Sequence, residues 1–263
     1  MPAKKKRPVA LTIAGSDSGG GAGIQADLKT FERIGVHGTS AITCVTAQNP
    51  KTVLAIQPIK ESVLRDQMRA IFDRLLPAAV KTGMLYSRQL IGVVVDHYAE
   101  LSGSLPPLVV DPVMVSTSGT PLLKPSAIKS IKEHLLPHAT IVTPNLAEAS
   151  LLLNGDVRTV DDAMEAARAI YETWGCAALV KGGHRRGQEA IDVLYAGERS
   201  RLYATPFIKG AATHGTGCTL SAAIAAHLAL GSGIAKAVAA AKTLVTDAIR
   251  NRYRAGKHEH LAQ

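Results

Sequence analysis

The chain has 263 residues, 46% of them hydrophobic and 4% aromatic, with a formal net charge of +9. That length and apolar share fit one large globular domain and exclude a disordered chain, while the scarcity of aromatic rings argues against a single-stranded nucleic-acid binder, whose bases stack on such rings. Part of the charge lies in Lys4–Arg7 and in Arg250, Arg252, Arg254 and Lys257, which read as solvated runs, and the remaining basic excess suits an anionic, phosphorylated substrate.

The pattern alternates strand and helix throughout. Val9–Ala14 reads as a buried strand, and Ile24, Leu28, Phe31 and Ile34 then recur at helical spacing up to Gly35. Thr39–Thr46 is rich in β-formers, and Thr52–Ile59 alternates as a further strand. Helices are expected over 61–76 and 87–100, with a strand at Ala79–Thr82 between them. Leu108–Asp111 reads as a strand, and 125–136 as a helix opened by Pro125 in its first turn. A strand at Ile141–Thr143, a helix over 145–153 and an amphipathic helix over 160–174 follow. Ala177–Lys181 is a strand, Ile191–Tyr195 and Arg201–Thr205 suggest a hairpin, and helices at about 217–230 and 233–250 close the pattern.

Such alternation predicts a three-layer αβα fold, with a mostly parallel central sheet and helices on both faces. One domain is expected over 9–251, after a flexible basic extension over 1–8 and before a mobile tail over 252–263. Cys44, Cys176 and Cys218 are odd in number and fit no zinc spacing, so reduced thiols and a cytoplasmic location are expected. No secretory signal or bilayer-length apolar stretch is apparent, so no membrane partner is expected.

Ligands of such sheets bind at the C-terminal ends of the strands, where polar and glycine-rich segments fall. After the first strand comes Ser16-Asp17-Ser18-Gly19-Gly20-Gly21-Ala22-Gly23. Gly21-Ala22-Gly23 and Ala26 match a dinucleotide fingerprint only formally, because the second strand ends in Ala47-Gln48 and not in an acid. No Walker-type loop is present. Asp27 points to the apolar side of its helix and needs a partner there; it is either a first-turn acid favoured by the helix dipole or a ligand for substrate. The amide of Gln48 offers a donor beside an acceptor, which suits the edge of an aminopyrimidine ring, although a loop glutamine needs no such role. Asn145 and Glu148 read first as a capping pair. Both could also face a nucleotide's magnesium, with Asp111 as a second acid near it. Lys181-Gly182-Gly183-His184 puts a cation at a strand end. Last comes Thr213-His214-Gly215-Thr216-Gly217-Cys218, a glycine-rich turn entering a long apolar helix. Its amides would bind an anion, and the helix start is expected to lower the Cys218 pKa.

Together these segments resemble the hydroxymethylpyrimidine/phosphomethylpyrimidine kinases of thiamine biosynthesis, within the ribokinase-like superfamily. The resemblance is carried in order by Ala10–Phe31, Val45–Asn49, Lys81–Leu85, Val110–Met114, Thr143–Glu148, Lys181–His184 and Thr213–Ser221. It implies magnesium- and ATP-dependent phosphorylation of 4-amino-5-hydroxymethyl-2-methylpyrimidine and then of its monophosphate, by a homodimer, with a monovalent cation as a further possible cofactor. It implies that Gly15, Asp27, Gln48 and Met84 hold the pyrimidine. Asn145, Glu148, Lys181 and Thr213 would serve the nucleotide, with Glu148 and Asp111 near the metal. Gly215, Thr216 and Gly217 would form the anion hole, and Cys218 occupies the position where many ribokinase relatives carry an aspartate base. Pyridoxal or pyridoxine kinase is the nearest alternative activity. A non-catalytic pyrimidine- or nucleotide-binding protein is the alternative of another class.

Overall fold

The computed structural model describes residues 6–114, 122–182, 189–210 and 214–263. Strand β1 (Val9–Asp17), helix α1 (Gly23–Ile34) and strand β2 (His37–Gln48) form the first unit. Gly35 ends α1 in the left-handed conformation with φ 87°, where a residue without Cβ is unstrained. Strand β3 (Val53–Pro58), α2 (Glu61–Leu75), β4 (Ala79–Thr82), α3 (Arg88–Glu100) and β5 (Leu108–Val110) follow. Helix α4 (Pro125–Ser130) continues through a wider π turn over Ile131–Leu135 into a tight turn at Leu136–His138. The sequence pattern suggests a single α-helix there, but Pro137 has no N–H with which to extend it. Next come β6 (Ile141–Val142), α5 (Leu146–Leu153), α6 (Val160–Trp174), β7 (Ala177–Val180), the antiparallel pair β8 (Glu189–Tyr195) and β9 (Arg201–Pro206), α7 (Thr216–Ala229) and α8 (Ile234–Arg250).

Among the described residues these strands form one nine-stranded sheet, ordered β3-β2-β1-β4-β5-β6-β7-β8-β9. The run from β2 to β7 is parallel, with β3 antiparallel at one edge and β8–β9 at the other. Helices α1, α7 and α8 cover one face and α2 to α6 the other, which is the three-layer arrangement expected from the alternation. Side chains alternate between the two layers along each strand. Leu11 and Ile13 of β1 and Val80 of β4 enter the core under α2–α6, while Ala10 and Val109 enter the core under α1, α7 and α8.

The chain leaves β1 for β2 on one side and later returns to β4 on the other. The carboxyl ends of β1 and β4 therefore flank the crevice where the winding direction reverses, the usual ligand position of such sheets. Among the described residues, no helix is long and apolar enough to cross a membrane.

Residues 252–263 differ from the expected tail. Tyr253–Ala255 (β10) and His258–His260 (β11) pair as an antiparallel hairpin. Beyond it Leu261 is 5% exposed, the Ala262 amide donates to the Ala248 carbonyl, and Arg33 donates to the Ala262 carbonyl. The apolar side chain and these hydrogen bonds dock the segment onto α8 and α1.

Candidate active site

The site grows from the loop before α7. Gly215 is the N-cap of α7, with φ 83°. A Cβ placed on it would lie 1.9 Å from the Gly21 carbonyl oxygen, so both the backbone conformation and the contact between the two glycine-rich loops require glycine. The first-turn amides of Gly217 and Cys218 lack intrahelical carbonyls, as at any helix start, and present partial positive charge.

Two cation–carboxylate pairs stand beneath that turn. In the first, Lys181 lies 3.1 Å from Asp111 Oδ1. Asp111 also accepts from Thr143 Oγ1 and, through Oδ2, from Ser221 Oγ in α7. A Cβ on Gly217 would lie 3.4 Å from Lys181 Nζ and 3.7 Å from Asp111 Oδ2, so the first turn of α7 sits against this pair. Burial would lower the Lys181 pKa, but Asp111 and Glu148 outweigh it and hold the ammonium above its ordinary value. Lys181 is itself fixed at its strand end. The Gly182 amide donates to Asp192 Oδ1 at 3.0 Å, and Lys242 bonds Asp192 Oδ2 at 2.7 Å.

The second pair lies deeper. Lys81 in β4 and Asp27 in α1 are both fully buried and 2.7 Å apart. Thr12, the register partner of Lys81 on β1, donates to the same Asp27 oxygen at 2.6 Å. The other oxygen, Oδ1, is buried with no hydrogen-bond partner. Burial pushes the Asp27 carboxyl up, and Lys81 alongside pulls against it. The signal for Lys81 was a lysine inside the otherwise apolar stretch Ala79-Val80-Lys81-Thr82, since a buried cation needs a buried anion.

The wall of the crevice beside Gly15 is apolar. A Cβ on Gly15 would meet Cys44 Sγ at 2.9 Å and Met84 Sδ at 3.6 Å, and Cys44, Met84 and Leu122 form a small buried apolar cluster. Gln48 ends β2, half-buried, with its Oε1 accepting from Thr46 Oγ1 at 3.1 Å and its backbone tied to Ser18 at both the amide and the carbonyl. Asn145 and Glu148 form the expected capping box, with reciprocal bonds of 2.9 Å and 2.8 Å. Glu148 is buried, which raises its carboxyl against the pull of Lys181. Asn145 also bridges to Lys181 across the sheet end. Thr213, Gly183 and His184 lie outside the described residues.

Thus Gly215, Thr216, Gly217 and Cys218 share one locality with Asp111, Lys181, Glu148 and Asn145. Gly15 and Met84 line a neighbouring apolar wall, with Asp27 buried beneath α1. Lys81 and Cys44, whose sulfur forms the back of that wall, were not legible at this position from the sequence.

Cys218 overturns one expectation. Its thiol is raised to about 11, not lowered: burial dominates, Lys81 opposes it, and Asp27 and Asp111 add to the rise. The effect of a helix start on a thiol is local, whereas desolvation depends on the layers that pack around it. Iodoacetamide at pH 8 is therefore expected to alkylate Cys218 about 100-fold more slowly than an ordinary thiol, with the rate climbing toward pH 11. A rate that levels off near pH 8 in peptide-mapped alkylation would contradict this.

Comparison with known proteins places the chain in a family. The family model described as phosphomethylpyrimidine kinase matches residues 17–262. A hydroxymethylpyrimidine/phosphomethylpyrimidine kinase of Rhizobium meliloti is 49% identical over 92% of this chain and 90% of its own. The crystal structure of phosphomethylpyrimidine kinase from Clostridium difficile 630 superposes with a TM-score of 0.81 at 42% identity, over 92% of this chain and 100% of that one. An ADP complex of Bacillus subtilis pyridoxal kinase gives 0.88 at 37% identity, over 98% of both chains.

Proposed function

Because the chain belongs to the phosphomethylpyrimidine kinase family, we propose that it transfers the terminal phosphoryl group of ATP to 4-amino-5-hydroxymethyl-2-methylpyrimidine and then to the resulting monophosphate. The observation that carries this reading is the first turn of α7. It rests against Lys181 and Asp111 on the nucleotide side and is joined to the first glycine-rich loop by the close approach of Gly215 to the Gly21 carbonyl.

In each step the acceptor oxygen bonds to the γ-phosphorus, the bond from that phosphorus to the β–γ bridging oxygen breaks, and ADP leaves; in the first step the hydroxymethyl proton passes to an oxygen of the transferred phosphoryl group. Such transfer needs positioning and charge stabilisation more than covalent help from the protein. The amides of the Gly215–Cys218 turn stabilise the charge on the transferring group. Lys181 supplies positive charge beside them, and Asn145 orders the nucleotide end. Gln48 orients the aminopyrimidine edge, with Gly15 and Met84 walling the ring. Asp27, fixed by Lys81 and Thr12, keeps Oδ1 for a donor on the substrate. Cys218, neutral at physiological pH, places the hydroxymethyl group and does not act as a resting thiolate base.

Among the described residues no cluster of three or more His, Cys, Asp and Glu side chains could hold a metal by itself. The acids present fit magnesium nonetheless. It keeps several waters and binds through one or two carboxylates together with nucleotide phosphates, a part that Asp111 and Glu148 suit. When bound, it neutralises charge on the phosphates. The proposed assembly is a homodimer; Leu54 on edge strand β3, 79% exposed, and exposed Val45 on β2 support a second copy as partner. The proposed setting is the cytoplasm, where ATP and free thiols such as Cys44, Cys176 and Cys218 coexist.

Incubation with magnesium-ATP and either hydroxymethylpyrimidine, its phosphate or pyridoxal, followed by ADP release, tests the reading. ADP formation with both pyrimidines is expected. Turnover of pyridoxal with neither pyrimidine would transfer the assignment to pyridoxal kinase. In the same assay Gln48→Ala is expected to raise the pyrimidine KM about tenfold, as for loss of one or two hydrogen bonds to substrate. An unchanged KM would remove Gln48 from the ring edge.

A further inference from the structure

Three residues outside the proposed substrate and nucleotide contacts converge on the seam between the two glycine-rich loops. Asp17 ends β1, and its carboxylate accepts from the amides of Gly19, Gly21 and Ala22 at 2.8, 3.2 and 2.9 Å, closing the first loop. The same Oδ2 lies 3.1 Å from His214 Nε2, on the residue just before the N-cap of α7. Burial would raise the Asp17 carboxyl, but the bonds from His214, Gly19 and Ala22 outweigh it and hold the group below the usual carboxylate range.

Gln263 reaches the seam from the opposite end of the chain, carried there by the β10–β11 hairpin. Its Nε2 donates to the Gly21 carbonyl at 3.2 Å and to Thr219 Oγ1 at 2.9 Å. Thr219 Oγ1 in turn donates to the Gly215 carbonyl at 2.9 Å. One amide group therefore bonds both the first glycine loop and the first turn of α7. The carbonyl it holds is the one that approaches Gly215 too closely for any other residue there.

We propose that His214 and Gln263 are positioning residues for phosphoryl transfer: with Asp17 they clasp the two glycine-rich loops together and aim the first-turn amides of α7 at the reacting phosphoryl group. The 253–263 segment is then part of the catalytic apparatus, although it contributes no group to the substrate. The proposal rests on the phosphotransfer reading above for its effect on turnover, but not for the clasp itself.

Two measurements separate the parts. Hydrogen–deuterium exchange needs no substrate. In Gln263→Glu, which keeps the side-chain shape but sets an acceptor against the Gly21 carbonyl, the amides of 19–23 and 215–219 are expected to exchange at least tenfold faster, with those of α6 unchanged. Unchanged exchange in both loops overturns the clasp whatever the enzyme's substrate. In the kinase assay, Gln263→Glu and His214→Leu are expected to lower kcat about tenfold or more while the pyrimidine KM stays within about twofold, since small misplacements of reacting groups cost rate before binding. His214→Gln, which retains a donor toward Asp17, is expected to recover part of that loss. If both variants keep the unmodified kcat, or lose it only in proportion to the fraction unfolded, the positioning role is wrong. If the unmodified protein turns over none of the proposed substrates but the loops loosen as expected, the clasp stands and the phosphotransfer reading fails.

Discussion

Replacing Lys81 with methionine is expected to cost about 3–5 kcal/mol of folding stability, the usual result of stripping one partner from a buried ion pair. Lys81 and Asp27 have no exposed side-chain surface, so no solvent screens the carboxylate left behind. Urea titration at pH 7 measures the loss. The pH dependence has a definite sign. Without Lys81, burial and the nearby Asp111 outweigh the Thr12 hydrogen bond and raise the folded pKa of Asp27 further above the unfolded value. The stability this group contributes is then present below the unfolded pKa and lost as pH rises through the folded one. The Lys81→Met protein is thus expected to lose more stability relative to the parent at pH 7 than at pH 5. An equal deficit at both pH values would mean that Asp27 is not charged in the parent. The double variant Lys81→Met/Asp27→Leu is expected to regain most of the stability, because apolar pairs replace buried ion pairs at little cost. It is not expected to regain turnover, since Asp27 Oδ1 goes with it.

Gly215→Ala carries the second large effect. The new methyl group would stand 1.9 Å from the Gly21 carbonyl oxygen while the backbone holds φ at 83°. A non-glycine residue strained in this way costs about 1–3 kcal/mol, and relief requires the loop to move off the first turn of α7. Misaimed amides are expected to lower kcat by about 10²–10³, the range seen when one oxyanion donor is lost. Gly35→Ala is the control. Gly35 has φ 87°, but nothing lies within 4 Å of its Cβ position, so it should lose a fraction of the same stability and keep its kcat. Equal kcat values for the two variants would show that the contact between the loops does not set the rate.

Much of the fold was legible because it rests on local periodicity. The strand at Ala79–Thr82 and the helix at Val160–Trp174 have the boundaries that their apolar spacing suggests. The capping pair Asn145 and Glu148 was legible for the same reason, being three residues apart. Contacts between distant residues were not. His214 and Asp17 are 197 positions apart, and Gln263 and Gly21 are 242 apart; no spacing rule links them. The short hairpin at Tyr253–Ala255 and His258–His260 was hidden because its strands are polar and three residues each, too short for a period to register. The chemistry of Cys218 was misjudged because its pKa depends on burial beside Asp27, Lys81 and Asp111, which the local sequence does not contain.

The register of Thr12 against Lys81 has a consequence for assembly of the sheet. Parallel strands β1 and β4 are joined by a long connection and by backbone bonds that would form almost equally well one residue out of step. Such a slip would turn Lys81 from the α1–α7 layer into the layer of Leu11, Ile13 and Val80, where Asp27 cannot follow. The charge buried there thus penalises every mispaired sheet at this junction, so the Lys81–Asp27 pair also selects the alignment of the two strands that flank the crevice.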